Sequence, residues 1–225
     1  MSIREKLLST RKRIVLFGSE GGFSKPILEQ LLTHDLNIAA VVMIKPAHQN
    51  SDFPVGIRQA VNPGGLEEIA VKHKVDILNT PSLNDDVFIG RLIKKRADIL
   101  LIACFAAKIP ARIWQEMNLP CWNLHPSLLP AYRGPSPLYW QILNNELETG
   151  LTLHEVSDCI DGGNIVAQKL IPLPGNHDKN SLDIWVSEQG VELFCESLDR
   201  YLQGKLKPEP QDETITEFGQ ELLEK

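Results

Sequence analysis

Asn123, His125 and Asp161 place an amide, an imidazole and a carboxylate in two turn-rich segments, Asn123-Leu124-His125-Pro126-Ser127-Leu128-Leu129-Pro130-Ala131-Tyr132-Arg133-Gly134 and Asp161-Gly162-Gly163. An asparagine amide is an uncharged donor for the oxyanion that forms when a carbonyl is attacked. A histidine titrates near neutrality and moves protons. An aspartate accepts a hydrogen bond from an imidazole, stabilises its charged form, or relays the proton of an attacking amine through water. Together they suit acyl transfer, with no covalent nucleophile needed if the amine is itself the substrate. Each group alone has a plainer reading: Asn-x-His as a loop pair, Asp-Gly-Gly as a common turn, and the proline-rich run from Pro126 to Pro137 as a stiff connection. The conjunction matters more, because a polar pair leaves a strand and is followed by a proline-fixed loop, a helix, a strand and then a carboxylate in a turn.

The segment Asn123 to Ile165, including the Trp140-Gln141-Ile142 helix and Glu148-Thr149-Gly150-Leu151-Thr152, closely resembles the folate-dependent formyltransferases. That family includes the catalytic domain of methionyl-tRNA formyltransferase, the sugar-nucleotide N-formyltransferases and, more distantly, glycinamide ribonucleotide formyltransferase. In outline the resemblance runs from about Arg13 to about Leu202. It implies a Rossmann-like α/β fold, a mostly parallel sheet with helices on both faces. It also implies a neutral amine attacking the formyl carbonyl of 10-formyltetrahydrofolate, with Asn123 and His125 stabilising the oxyanion and Asp161 helping to take up the amine proton. The family holds the pterin ring with backbone groups of two loops, which here correspond to Phe105, Ala107 and Ile109 and to Val156, Ser157 and Asp158.

Other chemistries are less well served. A serine hydrolase built from Ser127, His125 and Asp161 lacks the G-x-S-x-G turn that exposes a nucleophile, and Ser127 reads as a loop hydrogen-bonding group. A metal site of His154, Glu155, Asp158 and Asp161 is conceivable, although acidic residues flanking a turn usually face water. Gly18-Ser19-Glu20-Gly21-Gly22 follows a strand and invites a phosphate, but it lacks G-x-G-x-x-G spacing, Glu20 would repel the anion, and Lys45 stands where an acidic ribose ligand is expected. That loop is open to bordering the amine. A silent folate-binding relative remains the third class.

The elements needed to position these groups alternate. Strands are expected over Arg13 to Phe17, Asn37 to Ile44, Val75 to Leu78, Asp98 to Ala103 and Cys121 to Leu124. Helices are expected after the glycine loop, with Ile27, Leu28, Leu31 and Leu32 on one face, and over Leu66 to Lys72, Asn84 to Arg96 and Ala111 to Met117. Alternation of this kind implies a parallel sheet covered on both faces, whose ligands bind beyond the carboxyl ends of strands, where Asn123 to His125 and Phe105 to Ile109 lie. Leu151 to His154 and Asn164 to Ile171 extend the sheet, with Pro172 and Pro174 ending it. A long helix opens at Ser181, buries Val191, Phe194, Cys195, Leu198 and Leu202, and stops at Gly204.

The chain has 225 residues, 43% of them hydrophobic, enough for one enzyme domain with a sizeable core. Residues 1–204 read as the formyltransferase catalytic domain and 205–225 as a linker and short tail carrying a short amphipathic helix. No run is apolar enough to span a membrane or to act as a secretory leader, so the cytoplasm is expected. Cys104, Cys121, Cys159 and Cys195 show neither zinc nor disulfide spacing, and Cys104 and Cys121 read as small buried thiols at strand ends. The net charge of −6 argues against a nucleic-acid grip. Lys94-Lys95-Arg96, with Arg91 nearby, reads as a solvated helix end complementing its dipole, and Arg11-Lys12-Arg13 as solubilising. With Tyr132-Arg133-Gly134 pointing away from the glycinamide ribonucleotide branch, and no tRNA-binding domain after Gly204, the expected acceptor is a small amine such as a nucleotide-linked amino sugar. Thr216-Glu217-Phe218-Gly219 is loosely similar to the start of the extensions of sugar-nucleotide enzymes. Methionyl-tRNA is the alternative acceptor, and a homodimer through the final helix or tail is open.

Overall fold

A computed structural model of the chain describes residues 12–20, 23–44, 65–173 and 179–212. Seven strands form one sheet: β1 (Arg13–Gly18), β2 (Asn37–Ile44), β3 (Ile77–Thr80), β4 (Ile99–Ala103), β5 (Cys121–His125), β6 (Glu148–Glu155) and β7 (Ile165–Pro172). Their order is β3-β2-β1-β4-β5-β6-β7, parallel through β5 and then antiparallel across β5/β6 and β6/β7. The helices are α1 (Ser24–Thr33), α2 (Leu66–Lys72), α3 (Asp86–Ile93), α4 (Ala111–Met117), α5 (Pro137–Leu143) and α6 (Lys179–Leu202). The expected α/β architecture with a mostly parallel, doubly covered sheet is the one observed. No helix among the described residues is long and apolar enough to cross a membrane.

The period-2 geometry of a strand sends alternate residues to opposite faces, and the parallel strands are apolar on both. Ile14 and Leu16 of β1 and Ile99, Leu101 and Ala103 of β4 join one core with α1, α2 and α6. Val15, Phe17, Leu100 and Ile102 join the other with α3 and α4. On β5, Trp122 and Leu124 belong to the first core, where Trp122 meets Phe194 and Tyr201 of α6 edge-on at ring-centroid distances of 6.2 and 5.6 Å. Cys121 belongs to the second. Asn123 and His125 therefore face the second side of the sheet, at the carboxyl end of the last parallel strand.

Several boundaries differ from the sequence expectation for local reasons. β3 starts at Ile77 instead of Val75 because Val75 closes α2: its N–H donates to the Ala70 carbonyl and that of Lys74, at φ 57°, donates to Val71. This is the paired capping turn in which an apolar residue packs back on the helix. α3 begins at Asp86, capped by Asp85 Oδ1 accepting from the Val87 N–H at 2.8 Å, and ends at Ile93 instead of running from Asn84 to Arg96. α6 starts two residues before Ser181 and ends as expected, with Gly204 at φ 67° and the Lys205 N–H on the Arg200 carbonyl. Cys104, expected to be buried, is exposed at a left-handed φ of 53°, while Cys121 is buried. The basic cluster is partly engaged, Lys95 with Asp76, and Lys12 pairs with Asp98 at 2.8 Å. Gly21, Gly22, Lys45, Arg11, Pro174 and Thr216 to Gly219 lie outside the described residues, as does the helix expected after Gln211.

Candidate active site

β5 and β6 run antiparallel with Asn123 opposite His154 and His125 opposite Thr152. Leu151 and Leu153 turn into the first core, so the same alternation puts Thr152 and His154 on the face that carries Asn123 and His125. Glu155 then leads into a connection that returns as Asp161-Gly162-Gly163 before β7. Gly163 allows this return: a Cβ there would stand 1.8 Å from the Glu155 carbonyl oxygen.

Asp161 is brought onto the β5 pair. The Asn123 Nδ2 donates to Asp161 Oδ1 at 3.1 Å, and the Gly134 N–H, from a glycine at φ 100°, donates to Oδ2 at 2.9 Å. His125 Nδ1 is 3.6 Å from Oδ2 and His154 Nε2 is 3.5 Å from Oδ1. His154 Nδ1 faces the Glu155 carbonyl at 2.8 Å, and a carbonyl only accepts, so the ring hydrogen sits on Nδ1 and Nε2 is left as an acceptor. That acceptor takes the second Nδ2 hydrogen of Asn123 at 3.0 Å. The same logic applies to His125: Nε2 lies 2.9 Å from the Tyr132 carbonyl and carries the hydrogen, which leaves the Nδ1 lone pair directed at the carboxylate. Both Nδ2 hydrogens of Asn123 are thus engaged, and an entering carbonyl oxygen must compete with His154 or Asp161 for one of them.

Burial pushes the His125 pKa below its usual value and prevails over the nearby Asp161 charge, so the imidazole is neutral near pH 7. Burial alone would raise the Asp161 carboxyl, but the polar groups gathered on it, the Gly134 N–H among them, outweigh it and hold it well below the usual carboxylate range. With His154 Nε2 accepting from Asn123, the short donors on the carboxylate are Asn123 and Gly134. The result is a fixed anion beside a neutral imidazole with an available lone pair.

The second set of predicted residues also converges. Phe105, Ala107 and Val156 are half-buried against the second core, and Ile109 is part of it. Phe105 meets Phe17 edge-on at 5.4 Å. The Val156 N–H donates to the Cys121 carbonyl, and Lys108 spans the two loops to Asp158 at 3.6 Å. The Ser157 hydroxyl is occupied in its own turn, with Cys159. The side chain of Ile109 is packed into the second core.

The alternatives fare differently. Ser127 is fully buried and donates to the Ala131 carbonyl at 2.7 Å, as a loop group. Among the described residues no three His, Cys, Asp or Glu side chains are grouped to hold a metal. Glu155 accepts from Asn164 and Asp158 turns to Lys108, while His154 and Asp161 meet. Glu20 does not face an anion: it caps α2, accepting from the Leu66 and Glu67 N–H groups at 3.0 and 3.3 Å. The sequence marks His154 only as a conceivable metal ligand, and Gln211 falls within the stretch read as linker and tail. Thr152 and His154, polar residues at alternate positions of β6, mark the face opposite that of Leu151 and Leu153. Nothing local to Gln211 signals its position.

Residues 11–198 match the family described as formyl transferase. The methionyl-tRNA formyltransferase of Enterococcus faecalis is 32% identical over 207 residues, covering 92% of this chain and 64% of that protein. The chain spans less than two thirds of the length of such curated relatives, 63% for that of Levilactobacillus brevis. Among solved structures, the phosphoribosylglycinamide formyltransferase of Bacillus halodurans aligns at a TM-score of 0.63 and 19% identity, over 85% of this chain and 95% of that one. A sugar 3N-formyl transferase aligns at 0.60 and 22%, over 94% and 70%. At such identities these two establish the fold.

Proposed function

We propose, from the premise that this chain belongs to the formyl transferase family, that it moves a formyl group from a 10-formyltetrahydrofolate donor to a primary amine. The observation that carries the reading is the meeting of three groups at the carboxyl end of β5, with Asn123 donating to Asp161 at 3.1 Å and His125 Nδ1 lying 3.6 Å from the same carboxylate. The wall of Phe105, Ala107 and Val156 suits a flat heteroaromatic ring, with backbone groups of the two loops at its edge. This supports these residues, with Ile109, Ser157 and Asp158, as the donor's site.

In this reading Asn123 turns one Nδ2 hydrogen to the oxygen that gains charge as the amine attacks the formyl carbon. The neutral His125 receives the amine proton at Nδ1, where the Asp161 carboxylate stabilises the new imidazolium, and Nδ1–H then serves as a second donor to the oxyanion. His125 returns that proton to the donor nitrogen as its bond to the formyl carbon breaks. His154 holds the Asn123 amide in register throughout.

Two acceptor classes each have support. The relatives named methionyl-tRNA formyltransferases support the methionyl amine carried on tRNA. A small amine, such as a nucleotide-linked amino sugar, is favoured by the charge balance: the chain carries a net −6, and Lys12, Lys95, Arg112 and Lys169 are all paired with carboxylates. The solved sugar 3N-formyl transferase, described with dTDP and 5-N-formyl-THF, fits the same idea. The test is loss of 10-formyltetrahydrofolate, followed by absorbance, with amino sugars, nucleotide-linked amino sugars and charged initiator tRNA. Acceptor-dependent turnover that falls by ~10²–10³-fold in Asn123→Ala is expected. Turnover at the wild-type rate in that variant sinks the assignment, and donor loss independent of any acceptor marks a hydrolase instead.

A further inference from the structure

We infer that Gln211, delivered from beyond the last helix, is a positioning residue that sets the Asp161 turn and the Arg133 loop for transfer; the inference rests on the formyl-transfer reading and deepens it. After α6 the chain returns to the sheet, where Glu209 pairs with Ile165 through backbone bonds of 2.7 and 2.9 Å. Two residues later the Gln211 side chain is 8% exposed and fully engaged. Its Nε2 donates to the Asp161 carbonyl at 2.7 Å and the Gly163 carbonyl at 2.8 Å. Its Oε1 accepts from Arg133 Nε at 3.1 Å and Nη2 at 2.6 Å.

Two hydrogens and two lone pairs therefore have four partners, and the amide fits in one orientation only. What it joins makes it relevant to catalysis. Arg133 lies between Tyr132, whose carbonyl fixes the His125 tautomer, and Gly134, whose N–H holds Asp161 Oδ2. Asp161 itself sits at φ 49°, a left-handed conformation that neighbours must hold in place. Gln211 fixes that backbone from one side while its grip on Arg133 fixes the loop from the other. Sub-ångström placement of the carboxylate relative to His125 Nδ1 is the quantity it controls.

Two variants in the full chain separate this from simple packing. Gln211→Glu keeps the volume and the Arg133 bonds but sets an oxygen against the two carbonyls; Gln211→Leu removes every bond. Both are expected to lower kcat by ~10–10²-fold, with KM for donor and acceptor changed by less than about threefold. The imidazole titration of His125, followed by NMR, is expected to move in both. A Gln211→Glu enzyme with wild-type kcat overturns the inference, because the tether to Arg133 alone would then suffice. Should Gln211→Leu fail to fold, Gln211→Glu carries the test. If the wild-type chain transfers no formyl group to any acceptor, the functional reading fails, and the NMR titrations decide the positioning claim alone: unchanged midpoints in the folded variant overturn it, and displaced midpoints support it.

Discussion

The two halves of the sheet are built on different principles. From β3 across to β4 the strands are parallel and mainly apolar on both faces, and β5 ends that run with Asn123 and His125 on its second face. Across β6 and β7 the strands turn antiparallel and bury polar side chains. The Thr152 hydroxyl, with no exposure, donates to the Ser127 carbonyl and accepts from the Leu129 N–H and the Gln168 amide. Thr149 donates to Gln141, which in turn donates to the Pro126 carbonyl. A fully satisfied polar network of this sort fixes one arrangement, because any slip leaves a buried group unpaired. The parallel half thus supplies stability by burial, and the antiparallel end supplies placement.

That contrast can be broken most strongly at the carboxylate. Asp161→Asn removes the anion facing His125 and cannot accept from Asn123 and Gly134 as a carboxylate does, so transfer is expected to fall by ~10²–10⁴-fold, with little change in melting temperature. Retained activity with an unchanged pH profile would refute the stabilisation of the His125 imidazolium by Asp161. In the parallel half the effect should invert: Leu101→Ala, at a side chain with no exposure, is expected to lower stability by ~2–5 kcal/mol while leaving the kcat of the folded protein intact, as denaturant melts with parallel assays would show.

Smaller effects refine the boundary between the halves. Thr152→Val keeps the shape but strands the Leu129 N–H and the Ser127 carbonyl, for an expected loss of ~1–3 kcal/mol together with a lowered kcat, since Leu129 and Ser127 lead into the Tyr132 loop. A stability loss without any kinetic change would separate the network from the site. The pH dependence is subtler. The folded-state pKa of His125 lies below 6.5, so the unfolded chain takes up a proton first and stability declines as pH falls below about 6.5; Asp161, held below 3.8, adds a further loss only below about pH 4. Melting temperatures from pH 8 to 4.5 should therefore fall less steeply in His125→Gln than in the wild type, and equal slopes would contradict the buried neutral imidazole.

The parallel half was largely legible in the sequence. β2, α2 and α4 occupy the expected residues, because continuous apolar runs and a 3.6-residue spacing are local signals. Boundaries slipped where an apolar residue served a cap, as Val75 does for α2, since hydrophobicity alone does not tell a strand start from a helix end. Asn123, His125 and Asp161 were legible as chemical groups, and the structure brings them within reach of one another. The network around them was not. The direction of β6 depends on how the α5 connection folds back, and the position of His154 opposite Asn123 follows from that register alone. The stretch from Lys205 to Pro210, read as a linker, is held to the sheet through Glu209.

By itself the sequence determined which segments are strands and helices, which faces are apolar, and that an amide and an imidazole two residues apart share one side of β5. Those properties reside in neighbours along the chain, where spacing and side-chain type suffice. Only the tertiary structure decided the tautomers of His125 and His154, the engagement of both Asn123 hydrogens, and the reach of Gln211 across fifty positions to the Asp161 carbonyl. Each of these depends on the direction and register in which distant backbone segments meet, and a carbonyl or N–H group looks the same at every residue until the fold places it.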